Sequence, residues 1–361
     1  MRITWIMGNG FDLNLGLSTG YADFRERVYF SDSLASNYRN DLLSRLESSE
    51  YVASSELCAI DLWCDLERLL GRVTELYAPD EFDLFSETFE EMENLLVEYV
   101  RGQEARMPEQ LPAACVEEFV DSIGRFDKRM VYRDRHPFDL ENRQETISHH
   151  FISLNYTNAL ERFVDAAGQT EGNLFNHSVY GHVYRNTVEA PFHVHGRLED
   201  SGNVDDVVFG VDSDAQIANE QFAQDARFRE SWLKQNRNSD LYGNDSEQRL
   251  RSLIANADVI CLYGCSMGET DGRIWRQVGE RLLGNPNAKM VLFVYGLPDR
   301  HGSEHLRYLR ERDLQKNKFQ MSAGLEDAEM ETLEGRIFLL PSCDFFKFAD
   351  KIDIASDSLN R

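Results

Sequence analysis

Short apolar runs that end in glycine or polar turns are the feature that most limits how this chain can fold. The first run, residues 3–7, leads directly into Gly8-Asn9-Gly10, which predicts a buried strand followed by a tight turn. Runs of the same kind, several of them rich in β-branched and aromatic residues, lie at 151–156, 192–195, 207–211, 259–263, 290–295 and 336–340. They are too short to be independent helices, so we predict that they are strands.

Helical segments alternate with these strands in the second part of the chain. They are predicted at 158–166, 215–233, 246–255, 270–283 and 304–315. Such alternation predicts an α/β fold in which a doubly wound, parallel sheet carries helices on both faces.

The segment between the first two predicted strands has a different character. From about residue 29 to residue 143, apolar residues recur at helical spacing, for example at Leu62, Leu66 and Leu69, and β-forming runs are scarce. We therefore predict a core formed by residues 1–26 and 150–361, into which residues 27–149 are inserted as a helical domain.

Charge and composition narrow the classes of partner. The 361-residue chain carries a formal net charge of −25, and so acidic a surface repels nucleic-acid phosphates and anionic membranes. No apolar run has the length of a signal peptide or a membrane span, so we expect a cytoplasmic protein. None of the six cysteines forms a C-x-x-C pair, and we predict reduced thiols and no structural zinc.

The first motif that carries chemistry is GNGFDLNLG, at residues 8–16. It follows a strand and is expected to open a helix, where glycines let the backbone approach a pyrophosphate and free N–H groups bind its charge. The third glycine comes later than in G-x-G-x-x-G, so a purely structural turn remains the alternative to a nucleotide site.

The second motif, at residues 153–162, places Asn155 after a strand and before a helix. In open parallel sheets ligands bind beyond the carboxyl ends of the strands, so Asn155 is a candidate ligand-binding residue. The alternative is a helix cap, a role that Thr157 or Asn158 could also fill.

The third motif is FHVHG, at residues 192–196. Strand alternation would send His193 and His195 to the same face, but no third ligand at a recognised spacing accompanies them, so we expect no metal. His195 ends the strand beside Gly196, where a base could reach a ligand. A structural histidine is the alternative.

The fourth motif, LYGCSMGETD at residues 262–271, again reads as a strand, a glycine turn and a helix start. Gly264 and Ser266 could face a second phosphate or a ribose. Asp271 could hold a ribose hydroxyl or simply favour the helix N-terminus.

Taken together, the four motifs resemble those of the AbiH family of phage abortive-infection proteins. The resemblance covers both ends of the chain and most of the predicted sheet. Within the helical segment it extends to Trp63-Cys64-Asp65-Leu66-Glu67, which is similar to a W-x-x-L-E element of that family.

The AbiH pattern in turn resembles that of SIR2 proteins, which implies a Rossmann-like, SIR2-type core that handles NAD. By that resemblance Asn155 and His195 are the catalytic pair. The residues implied to bind the nucleotide are Gly8, Asn9, Gly10, Phe11, Asp12, Asp23, Gly264, Ser266 and Asp271. The chain lacks the four zinc cysteines of sirtuins, so NAD cleavage is expected rather than protein deacylation. Thr157 also stands where SIR2-like NAD hydrolases have an aspartate.

The resemblance therefore implies an NAD hydrolase that releases nicotinamide in abortive infection, with NAD as substrate and no metal. In this interpretation Asn155 orients the ribose or a water, and His195 accepts a proton. The alternative is a sensor module that binds NAD or ADP-ribose and acts through a partner protein. Expected partners are NAD or a related nucleotide, further copies of the chain, or another defence protein, and neither nucleic acid nor membrane.

Overall fold

A parallel sheet forms the frame of the molecule, as the alternation of short strands and helices predicts. The computed structural model describes residues 1–30, 41–46, 66–169, 176–198, 207–237, 245–349 and 351–355. Its strands are β1 (Arg2–Met7), β2 (Ser148–Ser153), β3 (His177–Val179), β4 (His182–Tyr184), β5 (Thr187–Val188), β6 (Phe192–His193), β7 (Val259–Tyr263), β8 (Lys289–Val294) and β9 (Ile337–Pro341). The motif residues Trp63, Cys64 and Asp65 lie outside the described residues.

The helices of the described residues fall into two groups. Those between β1 and β2 are α1 (Gly10–Leu15), α2 (Tyr21–Phe30), α3 (Asp41–Leu46), α4 (Leu66–Val73), α5 (Phe82–Glu104), α6 (Ala113–Gly124) and α7 (Tyr132–Arg135). Those after β2 are α8 (Ala159–Gln169), α9 (Glu220–Gln224), α10 (Ala226–Trp232), α11 (Asp245–Ala255), α12 (Gly272–Gly284), α13 (His305–Ala323) and α14 (Asp327–Thr332). Within the described ranges, no helix is both long and apolar enough to span a membrane.

The strand order of the sheet is that of a doubly wound fold. The strands run β5-β2-β1-β7-β8-β9, β6 also pairs with β2, and every pairing in this sheet is parallel. If the β5/β6 edge is counted as one strand, this is the Rossmann order 3-2-1-4-5-6. The α/β prediction is therefore confirmed, and the order reverses between β1 and β7, where such sheets bind ligands.

Helices cover both faces of the sheet. The alternating residues Ile3, Trp5 and Met7 of β1 belong to a buried cluster that includes side chains of α6 and α8. Ile6 points to the opposite face and joins a second cluster with residues of α11, α12 and α13. A strand that is buried on both faces has to be apolar throughout, which accounts for the continuous runs in the sequence.

The described residues between β1 and β2 form helices and no strand. Their apolar side chains divide between two cores. Residues from Met107 to Leu140 pack in the same cluster as β1. Residues from Leu66 to Val100 form a separate aromatic-rich cluster with residues 207–233. The boundaries of an inserted domain at 27 and 149 remain a prediction, and β2 begins at Ser148.

Two local predictions were wrong, and one element was missed. Residues 207–211 make only isolated bridges, in which Val207 pairs with Gly196 and Val211 with Leu233. The predicted helix at 215–233 is broken, because Asn219 and Asp225 each cap a new short helix with their side chains. The hairpin of β3 and β4 was not predicted, and its turn places Tyr180 and Gly181 at positive φ.

Candidate active site at the carboxyl edge of the sheet

The ends of four strands lie at one level of the sheet. Met7 at the end of β1 pairs with Ser153 of β2 on one side and with Tyr263 of β7 on the other. Ser153 also pairs with His193 of β6. The four motifs of the sequence therefore leave the sheet together, at the point where its strand order reverses.

The glycines of the first and fourth motifs are needed for direct contact between two turns. The Gly8 amide donates to the Tyr263 carbonyl at 2.9 Å, and the Gly10 amide donates to the Gly264 carbonyl at 3.0 Å. A Cβ on Gly10 would lie 2.5 Å from the Gly264 Cα, and Gly264 has a φ of +67°. Both amides are thus occupied by the neighbouring turn and are not donors for a phosphate.

Asn155 is held in one orientation by the first motif. Its Nδ2 donates to the Gly8 carbonyl at 3.2 Å and to Asp12 Oδ1 at 3.0 Å. Because both partners are acceptors, the nitrogen of the amide is assigned and Oδ1 is presented on the other side. Asn155 is 7% exposed, and its Oδ1 is buried without a hydrogen-bond partner.

Asp12 is a buried acid that accepts a hydrogen bond from the Asn155 amide. Its side chain is 1% exposed, and its second oxygen accepts a hydrogen bond from Thr157 Oγ1 at 2.7 Å. Burial disfavours the charged form and raises the pKa of Asp12 to about 7, against the lowering effect of the hydrogen bonds from Thr157 and Asn155. The hydrogen bond from Thr157 therefore stabilises the charged form of Asp12.

His195 faces a second carboxylate, that of the half-buried Asp271. Its Nε2 lies 2.9 Å from Asp271 Oδ1, although the N–H direction is not that of a linear hydrogen bond. Its Nδ1 has no hydrogen-bond partner, and the residue as a whole is only 4% exposed. Burial and the charge of Lys234 lower the pKa of His195, so that the ring is neutral at pH 7.

His193 and His195 do not share a carboxylate. His193 Nδ1 donates to the Asn155 carbonyl at 2.9 Å, and its Nε2 contacts Glu161 of α8. Among the described residues no three or more His, Cys, Asp or Glu side chains come together as a possible metal site. The absence of a metal remains a prediction.

The other residues predicted to bind a nucleotide lie around these two clusters. Asn9 Oδ1 accepts a hydrogen bond from Thr19, and Asp23 accepts one from the Gly20 amide at 3.2 Å. The Phe11 side chain is completely buried in the core, so that only its backbone can face a ligand. Ser266 is exposed on the turn after β7.

Sequence reasoning missed the ion pairs that Lys234 forms with two carboxylates. Lys234 contacts Asp271 Oδ1 at 3.1 Å and Glu67 Oε2 at 2.6 Å, although these residues are far apart in the sequence. Spacing gives no sign of such a contact for Lys234. Glu67 does stand in the W-x-x-L-E element, which is the one signal that pointed to it.

A cavity of about 400 Å³ opens beside β6, and its lining includes Phe192, His193, Arg197 and Arg249. Asn155 and His195 are both more than nine-tenths buried, and neither lines this cavity. A ligand that contacts both therefore has to displace part of what covers them.

Comparison with known proteins places this site in a family. A family model described as bacteriophage abortive infection AbiH matches residues 4–294, which include all four motifs. The chain belongs to the AbiH family. No curated protein matches the sequence. Membership in AbiH confirms the resemblance that the motifs indicated and implies a role in bacteriophage abortive infection.

Proposed function

We propose that this AbiH protein is a SIR2-like NAD hydrolase that acts in abortive infection. The observation that carries the proposal is the pair of orphaned polar atoms beyond β2 and β6. Asn155 Oδ1 and His195 Nδ1 are both buried without a hydrogen-bond partner. Buried polar atoms are rarely left unsatisfied in proteins, and such atoms at a topological switch point fit a polar ligand.

Hydrolysis of NAD breaks the bond between the nicotinamide nitrogen and ribose C1′, and forms a bond from C1′ to a water oxygen. Nicotinamide leaves uncharged and takes the bonding electrons, while the attacking water loses one proton. The enzyme therefore has to orient the ribose and water and accept that proton, and it has no leaving group to protonate. Inverting glycosidases likewise orient the sugar and use a base to accept the proton of the attacking water, but they also have to protonate the leaving group.

Asn155 supplies the orienting group in this proposal. Its Nδ2 is occupied by Gly8 and Asp12, so Oδ1 is the atom left to accept a hydrogen bond from a ribose hydroxyl or the water. Because the amide is fixed from behind, little side-chain freedom is lost on binding.

His195 supplies the base. The Asp271 carboxylate beside Nε2 favours the tautomer with its proton on that nitrogen, which leaves Nδ1 as the acceptor. The lowered pKa of His195 keeps the ring neutral and able to accept a proton at pH 7.

The turns at 8–11 and 264–266 would border the pyrophosphate of the substrate, with Asn9 and Ser266 as the nearest polar side chains. The reaction as written requires no metal. Since Asn155 and His195 are buried, we further propose that activity begins only when an activator opens the site. The activator would be another copy of the chain or a defence partner in the cytoplasm.

The proposal is tested by incubating purified protein with NAD and measuring nicotinamide and ADP-ribose by chromatography. The wild type, opened by an extract of infected cells if needed, should release both in equal amounts. Asn155→Ala and His195→Ala should each lower the rate by about 10²–10⁴-fold, a typical cost of losing a positioned catalytic group. Asn256→Ala and His182→Ala, at exposed positions, are the matched controls.

Near-wild-type rates in both site variants, with unchanged thermal melts, would remove Asn155 and His195 from the mechanism. Binding of NAD without release of nicotinamide, under every activating condition, would favour the sensor alternative instead.

A further inference from the structure

Lys234 is a buried cation that the proposed chemistry does not use. It is 2% exposed, and its ammonium contacts Glu67 Oε2, Asp271 Oδ1 and the Thr270 carbonyl at 2.6, 3.1 and 3.2 Å. Removing such charges from water costs several kcal/mol per ion, which the mutual attraction barely repays. A network of this kind is therefore poorly explained by stability alone.

The network joins three distant parts of the chain. Glu67 lies on α4 between β1 and β2, Lys234 follows α10, and Asp271 immediately precedes α12. The Lys234 backbone is fixed as well, because its amide donates to the Val211 carbonyl at 3.0 Å. The position of the Lys234 ammonium is thus fixed by Glu67 of the helical segment, and its backbone by Val211.

One carboxylate oxygen is shared between the cation and the histidine. Asp271 Oδ1 lies 2.9 Å from His195 Nε2 and 3.1 Å from Lys234 Nζ. A lone carboxylate beside a buried imidazole favours the imidazolium, whereas a second cation on the same oxygen disfavours it.

We propose that Lys234, held by Glu67, is a positioning residue that keeps His195 neutral with its proton on Nε2, so that Nδ1 stays free to accept a proton. The role rests on the function proposed above. It also makes the helical segment part of the site, because Glu67 of α4 places the cation.

The charges around His195 support this assignment. The charged or titratable groups that face it or its two partners are Asp271, Lys234, Glu67, Arg273, Tyr21, Tyr156 and Cys265. Lys234 lowers the pKa of His195 and Asp271 raises it. If Lys234 and Glu67 are both replaced by neutral residues, the net charge of the protein is unchanged. Asp271 then keeps its contact with His195 but loses its contact with Lys234. The pKa of His195 then rises.

The test reads the histidine ring directly by NMR of protein labelled with ¹⁵N at histidine, with His195→Gln used to assign the signal. In the wild type, His195 should be the neutral Nε2–H tautomer at pH 7. In Glu67→Gln/Lys234→Met, the ring should take up a second proton at a higher pH than in the wild type. Glu118→Gln/Lys351→Met removes another, more exposed Lys–Glu pair, which has no contact with His195, Asp271 or Lys234, and should leave His195 unchanged.

Activity gives a second readout. The double variant should lose about 10–100-fold in nicotinamide release near pH 7, the cost known for removing the partner that orients a metal-bound histidine, and should recover as pH rises. Lys234→Arg, which keeps the charge, should retain the wild-type tautomer.

A wild-type His195 that is protonated, or that carries its proton on Nδ1, overturns the proposal even if the double variant does not fold. So does a folded double variant with an unchanged His195 titration. If wild-type protein never releases nicotinamide, the proposed function fails, but the NMR result still decides the role of Lys234.

Discussion

Replacing Asp12 with asparagine should stabilise the protein at high pH and leave it unchanged at low pH. The folded-state pKa of Asp12 is about 7, whereas the ordinary value is 3.8. The unfolded chain therefore releases the proton first as pH rises, and the folded state is progressively destabilised between these two values. An asparagine side chain at this position has no proton to lose and avoids this cost.

The magnitude follows from the size of the shift. One pKa unit corresponds to about 1.36 kcal/mol, so a change from 3.8 to about 7 costs about 4 kcal/mol once both states are ionised. The hydrogen bonds need not be lost, because an asparagine oxygen can accept from Asn155 and its nitrogen can donate to Thr157.

Urea unfolding of wild type and Asp12→Asn at a series of pH values measures this difference. We expect equal free energies of unfolding near pH 4 and a variant more stable by about 4 kcal/mol near pH 8. Asp80→Asn, at an exposed position, should show no such divergence. A variant that is less stable by the same amount at every pH would show that the folded-state pKa of Asp12 is not raised, and a deficit that grows as pH rises would show that the cluster needs the ionised carboxylate. Either result would refute the reasoning.

Two further changes test the core around the site. Gly264→Ala should lower the free energy of unfolding by about 1–3 kcal/mol or more, because the new Cβ would lie 2.6 Å from the Gly10 Cα. Gly168→Ala on α8 is the control: its Cβ meets no atom within 4 Å, so the change should be neutral or stabilising. Equal melting temperatures for the two variants would contradict this prediction. His149, buried where Trp5 donates to its Nδ1, has its pKa lowered to about 3. Wild type should therefore lose about 2 kcal/mol relative to His149→Gln between about pH 6.5 and 5, and parallel curves would count against it.

The sheet could be predicted from the sequence because its strands are buried on both faces. Such strands are short apolar runs, and 3–7 and 259–263 differ from the observed β1 and β7 by at most one residue. Predictions failed where polar side chains decide the local structure. Asn219 and Asp225 interrupt the expected helix at 215–233 by capping new turns, which apolar periodicity does not reveal.

The candidate site could be predicted only as a set of strand ends. Motif positions were enough to place Asn155 and His195 beyond neighbouring strands. They did not reveal that Asp12 binds Asn155 or that Asp271 is shared with Lys234, because these contacts join residues more than thirty positions apart. Gly8 and Gly10 were expected to offer free amides, but their need for glycine comes from packing against Gly264.

Cellular NAD during phage infection tests the central claim most directly, because it includes whatever trigger opens the site. Cells that carry the wild-type protein should lose NAD and accumulate nicotinamide after infection and before lysis. Cells with Asn155→Ala or His195→Ala, expressed at the same level, should keep their NAD and lose protection from phage. Protection by the wild type with no fall in NAD would contradict NAD cleavage as the basis of abortive infection by this protein.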